Sequence, residues 1–227
     1  SDLNRAGYPA IAVDLRGHGE SPMGDPAEFG PESLAADVIA TIEARGIPPP
    51  VVLVGHSMGG RVAMQIAAKD AERASVNDNV KPLLAACIIE DMDCCLRTSS
   101  APDPPDEALT EAQRVSLRQW MSPGGRYFDS WESCRDALLL WNNLQRIEGW
   151  RGGRIRPVRD GWWSDINPAA RRLAQATTLC SIDGKLAWDS LAKHGAALPF
   201  PVHLWIADEP GTVCAWGGEG GLNAVGM

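Results

Sequence analysis

The chain has 227 residues, 44% hydrophobic and 22% charged, enough length and apolar content for one sizeable core. Its 21 Lys and Arg against 29 Asp and Glu give a net charge of −8, which argues against nucleic acid as the main partner. No apolar run approaches the roughly 18 residues of a membrane span, so none is expected.

The first ten residues, SDLNRAGYPA, carry neither the basic start nor the long apolar stretch of a secretory signal. They also lack an initiating Met, which leaves a start upstream open. Ala10–Asp14 (AIAVD) reads as a short buried strand, and LRGHGESPMGD after it as a turn-rich connection. Pro31–Arg45 places Leu34, Val38 and Ile42 four residues apart with Ala35 and Ile39 beside them, the apolar face of a helix. Gly46 and the prolines at 48–50 stop it. Val51–Val54 is β-branched without alternation and predicts a strand covered on both faces. Met58–Asp70 is a small-residue helix and Ala85–Ile89 another strand. Strand, helix and strand at this spacing predict parallel pairing with helical crossovers.

From about residue 95 to 195 the apolar strand runs disappear, and tryptophans appear among helical segments such as Glu132–Ile147. The expected organisation is therefore an α/β core over 1–94, a helical lid insertion over 95–195, and a return to the core over 196–227. In the return, Pro201–Ile206 has a strand pattern. Arg151–Arg159 reads as a solvated basic turn. Six cysteines (Cys87, Cys94, Cys95, Cys134, Cys180 and Cys214) show no CxxC and no ligand spacing, which favours reduced thiols in an intracellular protein. No metal or organic cofactor is implied.

The stretch VVLVGHSMGG carries the chemistry. Gly55-x-Ser57-x-Gly59 after a strand and before a helix is a nucleophile-elbow pattern. A serine on so sharp a turn is expected at positive φ, and bulky side chains two positions away would collide, hence glycine at 55 and 59. The turn lifts the hydroxyl clear of the strand edge. It also aims the Met58 backbone N–H at a developing oxyanion, with the dipole of the following helix in support.

With DLRGHGES upstream, this stretch resembles the α/β-hydrolase superfamily, in particular a branch of small acyl-ester hydrolases. The resemblance implies a partial α/β-hydrolase fold: a mostly parallel sheet flanked by helices, with Asp14–Ser21 after the fourth strand and the elbow after the fifth. In that branch an acid ends the sixth strand; IIEDMD places Asp91 there. Asp183-Gly184 through Trp188 looks like the D-G-x-x-x-W segment near the end of the lid. Asp208, after PVHLWIA, is the alternative acid, nearer the acid position of most family members.

A serine nucleophile needs a base and the base an orienting acid. Of the four histidines, His18 reads as a turn or packing residue, His56 lies inside the elbow, His194 ends the insertion and His203 sits in a strand. The family's histidine follows an eighth strand, so no catalytic histidine is assigned. The family's first three strands would precede residue 1, and its third lies between the strands at Ala10–Asp14 and Val51–Val54. A fragment of a longer protein is thus expected. The reading is a serine hydrolase acting on a small-molecule acyl ester or thioester. The compartment is cytoplasmic, or organellar if a targeting segment lies upstream, and the oligomeric state is open. The alternative is a non-catalytic binding or interaction protein on a degenerate hydrolase scaffold.

Overall fold

A computed structural model describes residues 2–77, 79–92, 106–180 and 182–205. In chain order it forms α1 (Asp2–Arg5), α2 (Pro31–Ala44), β1 (Val51–His56), α3 (Met58–Val76), β2 (Leu84–Glu90), α4 (Glu111–Met121) and β3 (Tyr127–Phe128). There follow α5 (Trp131–Leu139), α6 (Leu144–Trp150), β4 (Ile155–Val158), β5 (Gly161–Ser164), α7 (Pro168–Leu173), α8 (Ile182–His194) and β6 (Val202–Trp205). No described helix is long and apolar enough to cross a membrane. By its internal contacts the chain divides into two compact units, residues 1–24 with 110–170, and residues 25–109 with 171–227.

The second unit holds a parallel sheet of order β1-β2-β6, with Val54 opposite Ile88 and Ile88 opposite His203. Helix α2 starts on Pro31, whose fixed φ suits the first turn, and buries Leu34, Ala35, Val38 and Ile42, the face its spacing predicts. Helix α3 packs on β1, β2, α2 and α8. Its small residues Ala63, Ala67, Ala68 and Ala71, all buried, allow that close approach. Inside α3, Asp70 is buried, and its carboxylate accepts from the backbone N–H of Leu83 and Leu84, both at 2.9 Å, and from Arg73 at 2.6 Å. A helix side chain thus terminates the backbone where β2 begins. Beyond α7 the helix widens to π geometry over Ala174–Leu179, and the hydroxyls of Thr177 and Thr178 both donate to Phe29 O.

The first unit has its own apolar cluster of Trp120, Phe128, Trp131, Leu138, Ile147 and Ile155, so these tryptophans are packing residues. Trp120 and Phe128 tilt against each other at 5.2 Å, as do Trp131 and Trp162. Helices α4 and α5 start on reciprocal caps, Thr110 with Gln113 and Ser130 with Ser133. Loop Asp14–Ser21 closes on itself: the Asp14 carboxylate accepts from the Glu20 N–H and the Ser21 hydroxyl donates to Asp14 O. Gly19, at φ 50°, is required there, since a Cβ would lie 2.1 Å from the Asp14 carboxylate.

Several expectations are corrected. Ala10–Asp14 forms no strand. Ala10 N–H donates to Asn4 Oδ1, Ile11 is exposed, and no described strand offers a ladder. Strand β1 is not covered on both faces: Val52 and Val54 are 59% and 55% exposed, in alternation with Val51 and Leu53. The helical segment Glu132–Ile147 is two helices, because Asn143 turns its side chain onto the Arg146 N–H and caps a new one. The tryptophan-rich region contains a small antiparallel sheet of order β3-β5-β4, and β4 occupies part of the stretch expected to be a basic turn. Cys87 and Cys134 are free and buried, which pushes both thiols up to about 12, and the half-buried Cys180 Sγ accepts from Gln175 Nε2 at 3.6 Å. Cys94, Cys95 and Cys214 lie outside the described residues.

Two measurements check this account. Asp70→Ala strands two backbone donors at the entrance of β2 and is expected to lower the unfolding free energy by about 2–4 kcal/mol in urea titrations. His18 is the other case. Burial, then the nearby Arg126 and Arg154 charges, lower its pKa below 6.5, although its bond to Arg16 O opposes the shift. The unfolded chain therefore binds a proton first as pH falls through 6.5, and the folded state loses stability from there down to the lower folded pKa. The wild-type protein should lose more stability over this window than His18→Gln; identical pH profiles would contradict the assignment.

Candidate active site

The turn between β1 and α3 is built by close backbone approach. A Cβ on Gly55 would lie 2.2 Å from Gly59 O and 2.8 Å from the Ala63 Cβ, so only glycine lets the first turn of α3 fold back over the end of β1. Ser57 sits between them at φ 51° and ψ −119°, a left-handed conformation that costs a non-glycine residue about 1–3 kcal/mol. Its N–H donates to Glu90 O at 2.9 Å, and its own carbonyl accepts from the Gly60 N–H at 2.8 Å. Met58 opens α3, where backbone N–H groups have no intrahelical acceptor.

Gly59 does not play the steric part expected of it, since a Cβ there meets nothing within 4 Å. The second crowded position is Gly60, where a Cβ would lie 2.8 Å from Met92 Cβ. The pattern Met-Gly-Gly held both glycines, and spacing from the serine pointed to the wrong one. Arg61, fully buried one residue further on, also gives no sign in the sequence, where an arginine after two glycines reads as a surface residue.

Strand pairing brings the end of β2 beside this turn. His56 lies opposite Glu90, the last residue of β2, and Asp91 follows directly. Asp91 also has positive φ, 46°, and its N–H donates to Trp205 O in β6 at 2.8 Å. Its Oδ1 is buried with no hydrogen-bond partner, whereas a buried carboxylate oxygen normally has one. Ser57 and Asp91 therefore follow adjacent parallel strands at the same sheet edge. Asp208 lies outside the described residues. Of the histidines, His56 and His203 are exposed on their strands, His194 ends α8, and His18 sits in the first unit with its Nδ1 3.0 Å from Arg16 O.

A strand, a strained serine and a helix N-terminus at the carboxyl edge of a parallel sheet define the α/β-hydrolase class of site. A family model described as the alpha/beta hydrolase family matches residues 1–216, and the chain belongs to that family. It is similar to mouse protein phosphatase methylesterase 1, 38% identical over 90 residues, covering 39% of this chain and 21% of the relative. It is also similar to the lipase LipV of Mycobacterium tuberculosis, 32% identical over 162 residues, covering 70% of this chain and 57% of that one. The chain thus spans about a fifth and somewhat over half of these two relatives. Among solved structures, the thioesterase domain from the curacin biosynthetic pathway shares the fold at TM-score 0.50 and 18% identity, over 92% of this chain and 68% of that domain.

The steric account separates the two glycines of the elbow. Gly55→Ala should cost about 3 kcal/mol or more, or prevent folding. Gly59→Ala should change stability by less than about 1 kcal/mol, because helix propensity favours alanine and the space is open. Equal losses in thermal melts would refute it.

Proposed function

We propose that the protein is a serine hydrolase that cleaves carboxylic ester or thioester bonds through an acyl-enzyme. The observation that carries this reading is the strained Ser57 turn, with φ 51° at the entrance of α3, in a member of the alpha/beta hydrolase family. The names methylesterase and lipase among its relatives favour an ester substrate.

In the proposed mechanism Ser57 Oγ attacks the acyl carbonyl as a base takes its proton. The Met58 N–H donates to the oxyanion, helped by the α3 dipole. Collapse breaks the C–O or C–S bond, and the alcohol or thiol leaves with the proton. Water then attacks the acyl-serine and releases the acid. Asp91 orients the base through its carboxylate, and its partnerless buried Oδ1 supports that role. Asp208 is the alternative acid. None of the four histidines is assigned as the base.

The test uses protein expressed from its complete reading frame, a fluorophosphonate and short-chain p-nitrophenyl esters. Wild-type protein should be labelled at Ser57, as read by peptide mass spectrometry, and Ser57→Ala not at all. Asp91→Asn should retain the fold and lower kcat by about 10³–10⁴-fold. Full activity in Asp91→Asn together with its loss in Asp208→Asn would move the acid to Asp208. Absence of labelling and turnover, with saturable ligand binding, would favour the non-catalytic scaffold.

A further inference from the structure

We infer that Met92 is a positioning residue for the proposed acid: packed on Gly60, it sets where the Asp91 carboxylate stands relative to Ser57. This rests on the serine-hydrolase reading with Asp91 as the acid.

Gly60 is the third residue of α3, and glycine inside a helix is unfavourable. Its neighbour gives the reason. A Cβ at that position would lie 2.8 Å from Met92 Cβ and 3.2 Å from Met92 Cγ. Met92 is 1% exposed, so its side chain is wholly enclosed. The chain therefore passes from the β2 ladder at Glu90 to the first turn of α3 at Met92, with Asp91 as the single residue between.

Two links then join acid and nucleophile. In the first, Ser57 N–H donates to Glu90 O at 2.9 Å. In the second, Gly60 N–H donates to Ser57 O at 2.8 Å, and Met92 lies on Gly60. Asp91, held between them at φ 46°, also donates its N–H to Trp205 O at 2.8 Å. Such a conformation persists only where the surroundings impose it. The buried Asp91 Oδ1 has no hydrogen-bond partner among the described residues, so no bond of its own fixes its direction. The backbone fixes it instead, and Met92 is the anchor on the C-terminal side. Truncating Met92 leaves the Ser57–Glu90 bond and the β2 register in place and loosens the acid.

The test measures kcat and KM for a short-chain p-nitrophenyl ester on protein expressed from its complete reading frame. Met92→Ala should lower kcat by about 10–100-fold, the scale of a misplaced catalytic group, and leave KM within about twofold. Met92→Leu, close in volume, should restore kcat to within about threefold of wild type. Leu84→Ala empties an equally buried position at the far end of β2 and should leave kcat unchanged below its melting temperature. In an Asp91→Asn background Met92→Ala should cost less than about twofold, because the group it acts through is gone. Where Met92→Ala does not fold, Met92→Val carries the same comparisons. Unchanged kcat in Met92→Ala, an equal loss in Leu84→Ala, or the full further loss on top of Asp91→Asn would each overturn the inference, while wild-type turnover upheld the hydrolase reading. A wild type that neither turns over ester nor labels at Ser57 would sink both.

Discussion

The second unit depends on one close approach, between the Gly55 backbone and the Gly59 carbonyl. It lets α3 double back over β1 within a single residue, and that residue is Ser57. A wider turn would move α3 away from the sheet and separate its alanines from both strands. The same turn uses the Ser57 N–H to extend the β1–β2 ladder by one bond beyond the strand, to Glu90 O. The strain at the serine is therefore held by interactions on both sides: helix packing behind it and a strand in front.

Strand β2 is fixed at both ends by the elements around it. At its entrance Asp70, from the middle of α3, takes the N–H groups of Leu83 and Leu84. At its exit Glu90 O receives Ser57, and Asp91 N–H reaches across to Trp205 O. A slip of one residue would break all of these bonds and turn the strand's buried face outward. The register of β2 therefore decides which acidic residue of Glu90-Asp91 stands at the strand terminus and which belongs to the ladder.

The β1–α3–β2 unit was legible because its signals are local and agree: an apolar run, a glycine-flanked serine, an alanine-rich helix and a second apolar run. Ala10–Asp14 carries as strong an apolar signal, but a parallel strand needs a neighbour, and the Asn4 side chain takes the Ala10 N–H instead. The sheet of the first unit was hidden for the opposite reason. Pro157 and Gly161 have poor strand character, although β4 and β5 pair as a local hairpin, and β3 joins them only through Tyr127 opposite Trp163 and Phe128 opposite Trp162, more than thirty residues apart in sequence. The exposure of Val52 and Val54 was equally unreadable, since a β-branched run looks the same whether one or both faces are covered. Within the site, the sequence pointed to Ser57 and Gly55. It could not tell Gly59 from Gly60, because the crowding at Gly60 comes from Met92, more than thirty residues away.

Among the described residues, Ser57 and Asp91 are the non-glycine positions with positive φ. Each follows the last residue of one of two paired strands. Such conformations persist only where surrounding structure over-determines them, and they gather where side-chain direction matters more than backbone comfort. Asparagine and aspartate tolerate the left-handed region better than most residues, so the strain at Asp91 taken alone says little. Its weight comes from what accompanies it: a carboxylate oxygen buried without a partner, beside a serine under the same constraint. Glu90 has no such history, because as the last residue of β2 it is exposed and lies in the ladder opposite His56. On physical grounds the acid proposed to orient the base is therefore better placed at Asp91 than at its neighbour.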